Sequence, residues 1–125
     1  MYTVTVERAF VAQHFLTVPD PGPEGELHSH HYTATVQLEG AELNEYGYLA
    51  DIDAVEARLD ATVERYRDAT LNDLSEFEGL NPSLEHFARL FGRRFWDDLD
   101  APTVDSLTVE LREDEIAWAS HRREV

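Results

Sequence analysis

The chain has no cysteine and no lysine, and a single methionine. Without cysteine there is no disulfide framework, no thiolate metal ligand and no thiol nucleophile. Without lysine every one of its ten cations is an arginine, set against 26 acids, for a net charge of −16. The acids are spread along the chain rather than gathered in a tail, which excludes the basic face that nucleic-acid binding needs. Long apolar runs are missing too: nothing approaches the roughly 18 to 20 residues of a membrane span. The opening "MYTVTVERAF" has no basic segment followed by an apolar block, so no signal peptide is expected and the cytoplasm is the default location. An acidic, lysine-free surface keeps the chain soluble and suits a salt-rich cytosol, where counter-ions screen the repulsion.

What is present suits one globular domain over residues 1–125: 42% of residues are hydrophobic and 10% aromatic. Tyr2 to His14 alternates, with Val4, Val6 and Phe10 on one parity, and reads as a strand. A Pro- and Gly-rich loop covers 19–25. A second strand runs from about Leu27 to Leu38, with Tyr32, Ala34, Val36 and Leu38 on one face. Ile52, Val55, Leu59, Val63 and Tyr66 recur at spacings of three and four and predict a helix to about Arg67. Residues 68–81 read as a loop. Asn81 is placed to cap a second helix, with Pro82 in its first turn and Leu84, Phe87, Ala88, Phe91 and Phe95 on its buried face. Strands at Ser106–Leu111 and Ile116–His121 close a hairpin over "REDE". The order ββααββ predicts an α+β fold, a four-stranded antiparallel sheet with both helices on one face.

Half of the six histidines fall in "HSHHY", residues 28–32. Side chains alternate along a strand, so His28 and His30 share the parity of Tyr32, and His31 points the other way. If the first two strands pair as a hairpin, His14 comes opposite the pair. Three imidazoles and one open position describe a catalytic zinc site, with Zn–N about 2.0 to 2.1 Å. The competing reading is a wet strand end whose histidines hold nothing.

"FVAQHFL" (10–16), "HSHHY" (28–32), "GYLADI" (47–52), "DATLN" (68–72), "NPSLEHFA" (81–88) and "VEL" (109–111) occur in the order found in the 6-pyruvoyltetrahydropterin synthase and 6-carboxytetrahydropterin synthase family, which the chain resembles over nearly its whole length. The resemblance implies the tunnelling fold, a homo-hexamer of two stacked trimers with sites at subunit interfaces, and a pterin substrate. It implies zinc (Zn2+) on His14, His28 and His30, and a pterin ring anchored by Glu110, with Ser83 and Glu85 nearby. Asp51 fits a helix cap better than a catalytic role. Where the family has its catalytic cysteine, four residues before the first histidine of the pair, this chain has Glu24; Asp68 of the family's Asp-His pair is kept, but the histidine is Ala69. The glycine between the paired histidines is Ser29.

Some members similar to this chain carry glutamate in place of the cysteine and cleave dihydroneopterin triphosphate toward a 6-hydroxymethylpterin. Glu24, or Glu26 if the loop register differs, would then be the base, beside Asp68. The reading is a zinc-dependent lyase acting on a dihydroneopterin-type side chain in pterin, folate-like or deazapurine biosynthesis. The alternatives are a pterin-binding homologue without turnover and a structural metal-binding hexamer. A triphosphate would need local positive charge, for which Arg8, Arg93–Arg94 and Arg122–Arg123 are the candidates.

Overall fold

The computed structural model describes residues 1–125. Strands β1 (Tyr2–His14) and β2 (His28–Gly40) pair over their full lengths, from Tyr2 opposite Gly40 to His14 opposite His28. Helices α1 (Ile52–Tyr66) and α2 (Leu84–Asp97) follow, then β3 (Ser106–Glu113) and β4 (Ala117–Glu124). The sheet is antiparallel in the order β1-β2-β3-β4, and α1 lies over β1 while α2 lies over β3 and β4. The expected ββααββ fold is the observed one. No helix is long and apolar enough to cross a membrane.

Alternation explains the layering. Phe10 and Ala12, then Tyr32, Ala34, Val36 and Leu38, then Leu107, Val109 and Leu111 are all buried on the helix side. Against them α1 buries Val55, Leu59, Val63 and Tyr66, and α2 buries Phe87, Ala88, Phe91 and Phe95. Aromatic rings fill the centre: Phe10 stacks on Tyr32 at 5.6 Å, and Phe87 meets Tyr66 edge-on at 5.0 Å. Burying such a ring stabilises by roughly 1.5 to 3 kcal/mol each. Gly40 lets the end of β2 pass under the 101–105 connection, since a Cβ there would lie 2.4 Å from the Thr103 carbonyl oxygen.

The structure corrects several boundaries. Asn81 does not cap α2; Ser83 does, its Oγ accepting from the His86 N–H at 3.1 Å. The Asn81 side chain instead accepts from the Thr17 N–H at 2.9 Å and ties the loop after β1 to the start of α2. Ile52 stands at the first position of α1 and overhangs the core, exposed. Ile116 lies in the β3–β4 turn and is 89% exposed, so β4 begins one residue later and runs on to Glu124. The turn is entered through Asp114 in the left-handed region, φ 60°. Residues 68–81 are more than a loop: two 3-10 turns, Leu71–Asp73 and Ser75–Phe77, bury Leu71 and Phe77. Asp51 caps α1 by accepting from the Asp53 and Ala54 N–H groups.

A buried carboxylate closes the gap between the helices. Glu76 takes hydrogen bonds from Arg65 at 2.8 Å and from the Tyr66 hydroxyl at 2.9 Å, with Arg94 3.4 Å away. Burial alone would raise its pKa, but the bonds from Arg65 and Tyr66 outweigh this and hold it at about 2.

Candidate metal centre

The C-terminal end of β1 and the N-terminal end of β2 bring three imidazoles together on the helix side of the sheet. His14 faces His28 across the ladder, and His30 follows two residues along β2. The rings stand nearly edge to face, with centroids 4.6 Å (His14–His28), 5.1 Å (His14–His30) and 4.8 Å (His28–His30) apart. One nitrogen from each lies within 4.8 Å of the others.

Two of the rings are oriented by backbone carbonyls. Nδ1 of His14 lies 3.0 Å from the Pro82 oxygen, and Nδ1 of His28 lies 2.8 Å from the Glu26 oxygen. A carbonyl accepts only from an N–H, so both Nδ1 atoms carry the proton and both Nε2 atoms present a lone pair. Nε2 of His28 is buried and has no hydrogen-bond partner. His14 is 3% exposed; burial pushes its pKa down, the Pro82 carbonyl offsets part of this, and His28 and His30 lower it further. A neutral imidazole is the form that binds metal. Two buried, unpartnered nitrogens, Nε2 of His28 and of His30, beside the tautomer-fixed ring of His14 fit a divalent cation with nitrogen preference, zinc among them.

Two carboxylates from the β3–β4 turn approach the third ring. Glu113 Oε1 lies 2.8 Å from His30 Nε2, off the direction in which a ring N–H would point, so that nitrogen has no hydrogen bond; Asp114 lies 3.7 Å from Nδ1. Burial raises the pKa of Glu113, against the pull of the His30 charge. Tyr32 lies beneath, 5.7 Å from the His30 ring, its hydroxyl buried without a partner and its pKa raised by burial and then by Glu113 and Asp114.

A cleft of about 230 Å³ opens beside His14, lined by Glu24, Asn81, Ser83, Glu85 and Glu113 among others. Of the residues expected here from sequence, His14, Glu24, Ser83 and Glu85 line it, and His28 and His30 adjoin it. Glu24 sits in the 3-10 turn Gly22–Gly25, where its carbonyl accepts from Leu16 N–H at 2.9 Å. Glu26 contributes its carbonyl to His28, and its carboxylate is not in the cleft wall. Two expected residues are elsewhere. Glu110 pairs with Thr35 and Ser120 and faces away from the helices, on the opposite side of the sheet from the histidines. Asp68 is exposed on the outer side of β1, where its N–H bonds the Val11 carbonyl at 2.7 Å. Glu113 was not foreseen as a site residue; it continues the parity of Leu107, Val109 and Leu111, the one signal that points to it.

None of the candidate arginines lines the cleft. Arg8 pairs with Glu56 and Asp60, Arg94 with Glu76, and Arg122 with Glu124.

Fold and site together define an α+β sheet protein with a three-histidine centre at the strand ends and acids around it. The family model of 6-pyruvoyl tetrahydropterin synthase matches residues 3–124, and the chain belongs to that family. Among solved structures, the 6-pyruvoyl tetrahydropterin synthase of Plasmodium vivax is similar at a TM-score of 0.84 and 15% identity, covering 99% of this chain and 98% of that one. The Caenorhabditis elegans enzyme is similar at 0.79 and 18%, with the same coverage. A further Plasmodium vivax structure, at 0.82 and 15% with that coverage again, has alanine in place of a glutamate described as a catalytic residue. No curated protein matches the chain.

Proposed function

We propose that the chain is a zinc-dependent lyase acting on the three-carbon side chain of a dihydroneopterin-type substrate. The observation that carries this is the convergence of His14, His28 and His30 with Nδ1 of two rings tied to carbonyls. Bound there, Zn2+ would polarise a side-chain oxygen and acidify the neighbouring C–H and O–H bonds. Glu24 is the base: it borders the cleft, and a Plasmodium vivax relative has a glutamate named as a catalytic residue. Glu113 rather than Glu110 is the carboxylate placed to accept from the N–H groups of a pterin ring, a charge-assisted pair of bonds. Ser83 and Glu85 border the same space.

Asp68 is exposed at the opposite edge of β1, so it serves a cleft only if a neighbouring copy presents it. We take the chain as a homo-oligomer, a hexamer of two trimers, with sites completed across its interfaces. The cleft has three acids, Glu24, Glu85 and Glu113, and no arginine of its own. That favours a substrate carrying little phosphate over a triphosphate.

The test is to incubate zinc-loaded protein, at low and high salt, with dihydroneopterin, its monophosphate and its triphosphate, and to follow the pterin products by fluorescence-detected chromatography. A side-chain-cleaved pterin supports the lyase. Neopterin binding without any product supports the second reading, a pterin-binding homologue without turnover, which the Ala69 substitution favours.

A further inference from the structure

Glu113 ends β3 on the helix side of the sheet, opposite Tyr32 of β2. His30 lies two residues along β2 on the same face, so the ladder sets the Glu113 carboxylate against the His30 ring. The β3–β4 turn begins at the next residue, Asp114, with φ 60°. The turn brings a second carboxylate to the other ring nitrogen, with Asp114 Oδ1 3.7 Å from Nδ1. A negative charge on that side favours the proton on Nδ1, as the Pro82 and Glu26 carbonyls do for His14 and His28. Nε2 of His30 is then a lone-pair atom.

Glu113 Oε1 stands 2.8 Å from that lone pair, and no hydrogen bond joins them. Both side chains are shielded, 12% exposed for His30 and 21% for Glu113. Two acceptors this close, with little water to screen them, repel each other unless a cation lies against both. The spacing is near that of two ligands of one ion. Bonds of about 2.0 to 2.1 Å at a tetrahedral angle hold donor atoms roughly 3.3 Å apart, so a parting of about 0.5 Å seats both. The cleft's other acids, Glu24 and Glu85, form no such group with a histidine.

We propose that Glu113 is a fourth metal ligand, its Oε1 joining Nε2 of His14, His28 and His30 and closing the shell while the cleft holds no substrate. This rests on the zinc reading above and adds a carboxylate to its three histidines. Four protein ligands leave no open position. A substrate oxygen therefore takes the place that Glu113 gives up, and the freed carboxylate is the one that meets the N–H groups of the pterin ring. The step is a ligand exchange: one metal–oxygen bond replaces another, and the carboxylate keeps its charge. A site closed in this way holds no reactive water until the ring arrives.

Cobalt(II) in place of zinc reports the shell, because its visible bands depend on which ligands it has. Metal-free wild type, Glu113→Ala, Glu113→Gln, Asp114→Asn and Glu85→Gln are titrated with cobalt by absorption, and with zinc by competition against a chromophoric chelator, with no pterin present. Glu113→Ala is expected to raise the zinc dissociation constant by about 100-fold and to change the cobalt bands; Glu113→Gln lies between it and the wild type. Added acetate returns the alanine variant's bands toward the wild-type ones and leaves the wild type's unmoved, since only the variant has a free position. Asp114→Asn, which loses an orienting group, costs about tenfold with wild-type bands. Glu85→Gln removes the same charge from the same cleft, yet keeps the bands. If the alanine variant loses its circular dichroism spectrum, the glutamine variant decides alone. A wild type that binds neither ion overturns both this ligand and the zinc reading. A wild type that binds them, with Glu113 variants equal to it in affinity and bands, overturns the ligand alone and leaves a three-histidine site. So do wild-type bands that move with acetate as far as the variant's.

Discussion

Zinc added to metal-free protein is expected to raise its melting temperature, and His28→Ala is expected to remove the rise. A ligand that binds only the folded chain stabilises it by about 2.7 kcal/mol when present at a hundred times its dissociation constant. A chain of 125 residues has an unfolding entropy of about 0.26 kcal/mol/K, from about 2.1 cal/mol/K per residue. The quotient is a shift of about 10 °C. His28 is the right site to perturb, because the hydrogen bond it makes in the folded chain is the one from Nδ1 to the Glu26 carbonyl, and it lies at the partly exposed mouth of the cluster. His14 is a poorer choice: it is buried and bonded to Pro82, so its loss would disturb the start of α2 as well. The assay is differential scanning calorimetry after chelation and stepwise return of zinc. Zinc that binds histidines of the unfolded chain lowers both shifts, so the difference between the two proteins is what counts. A wild-type midpoint that stays put across the titration, or a variant that moves as far as the wild type, refutes the three-histidine centre.

Glu113→Gln should weaken neopterin binding by about 10- to 100-fold, the loss of one charge-assisted contact, while Glu110→Gln leaves it unchanged; fluorescence titration separates them. Glu24→Gln should cut turnover by about 10²- to 10⁴-fold with zinc content and pterin affinity retained, read by steady-state rates beside metal analysis. Glu76→Gln should lower stability at pH 7 by about 2 to 3 kcal/mol in urea unfolding. Because the folded pKa of Glu76 is depressed to about 2, its contribution is complete above the ordinary carboxylate range and fades as pH falls from about 4.5 toward 2, so wild type and variant should converge there.

The strands and helices were legible because each has a period: two along β1, β2 and β3, and three to four along α1 and α2. The histidine centre was legible for the same reason. A two-residue period puts His28 and His30 on one face, and a hairpin register brings His14 opposite. The acids around it follow other rules. Alternation already separates Glu110 from the histidines, since Glu110 opposes Val109 and Leu111 while His30 shares the face of Tyr32. A short match such as "VEL" fixes a residue's place along the chain but carries no information about its face. Glu113 shares the buried parity two residues beyond Leu111, and a positive-φ turn at Asp114 leaves it at the end of the ladder beside His30. The tautomers of His14 and His28 depend on the Pro82 and Glu26 carbonyls, and a backbone oxygen has no residue type to read. Glu76 was equally silent: its neighbours Arg65, Tyr66 and Arg94 come from two helices, so its burial exists only after both have packed. Residues that act through their own element's period can be found from sequence, whereas those defined by a turn, a carbonyl or a second element need the folded chain.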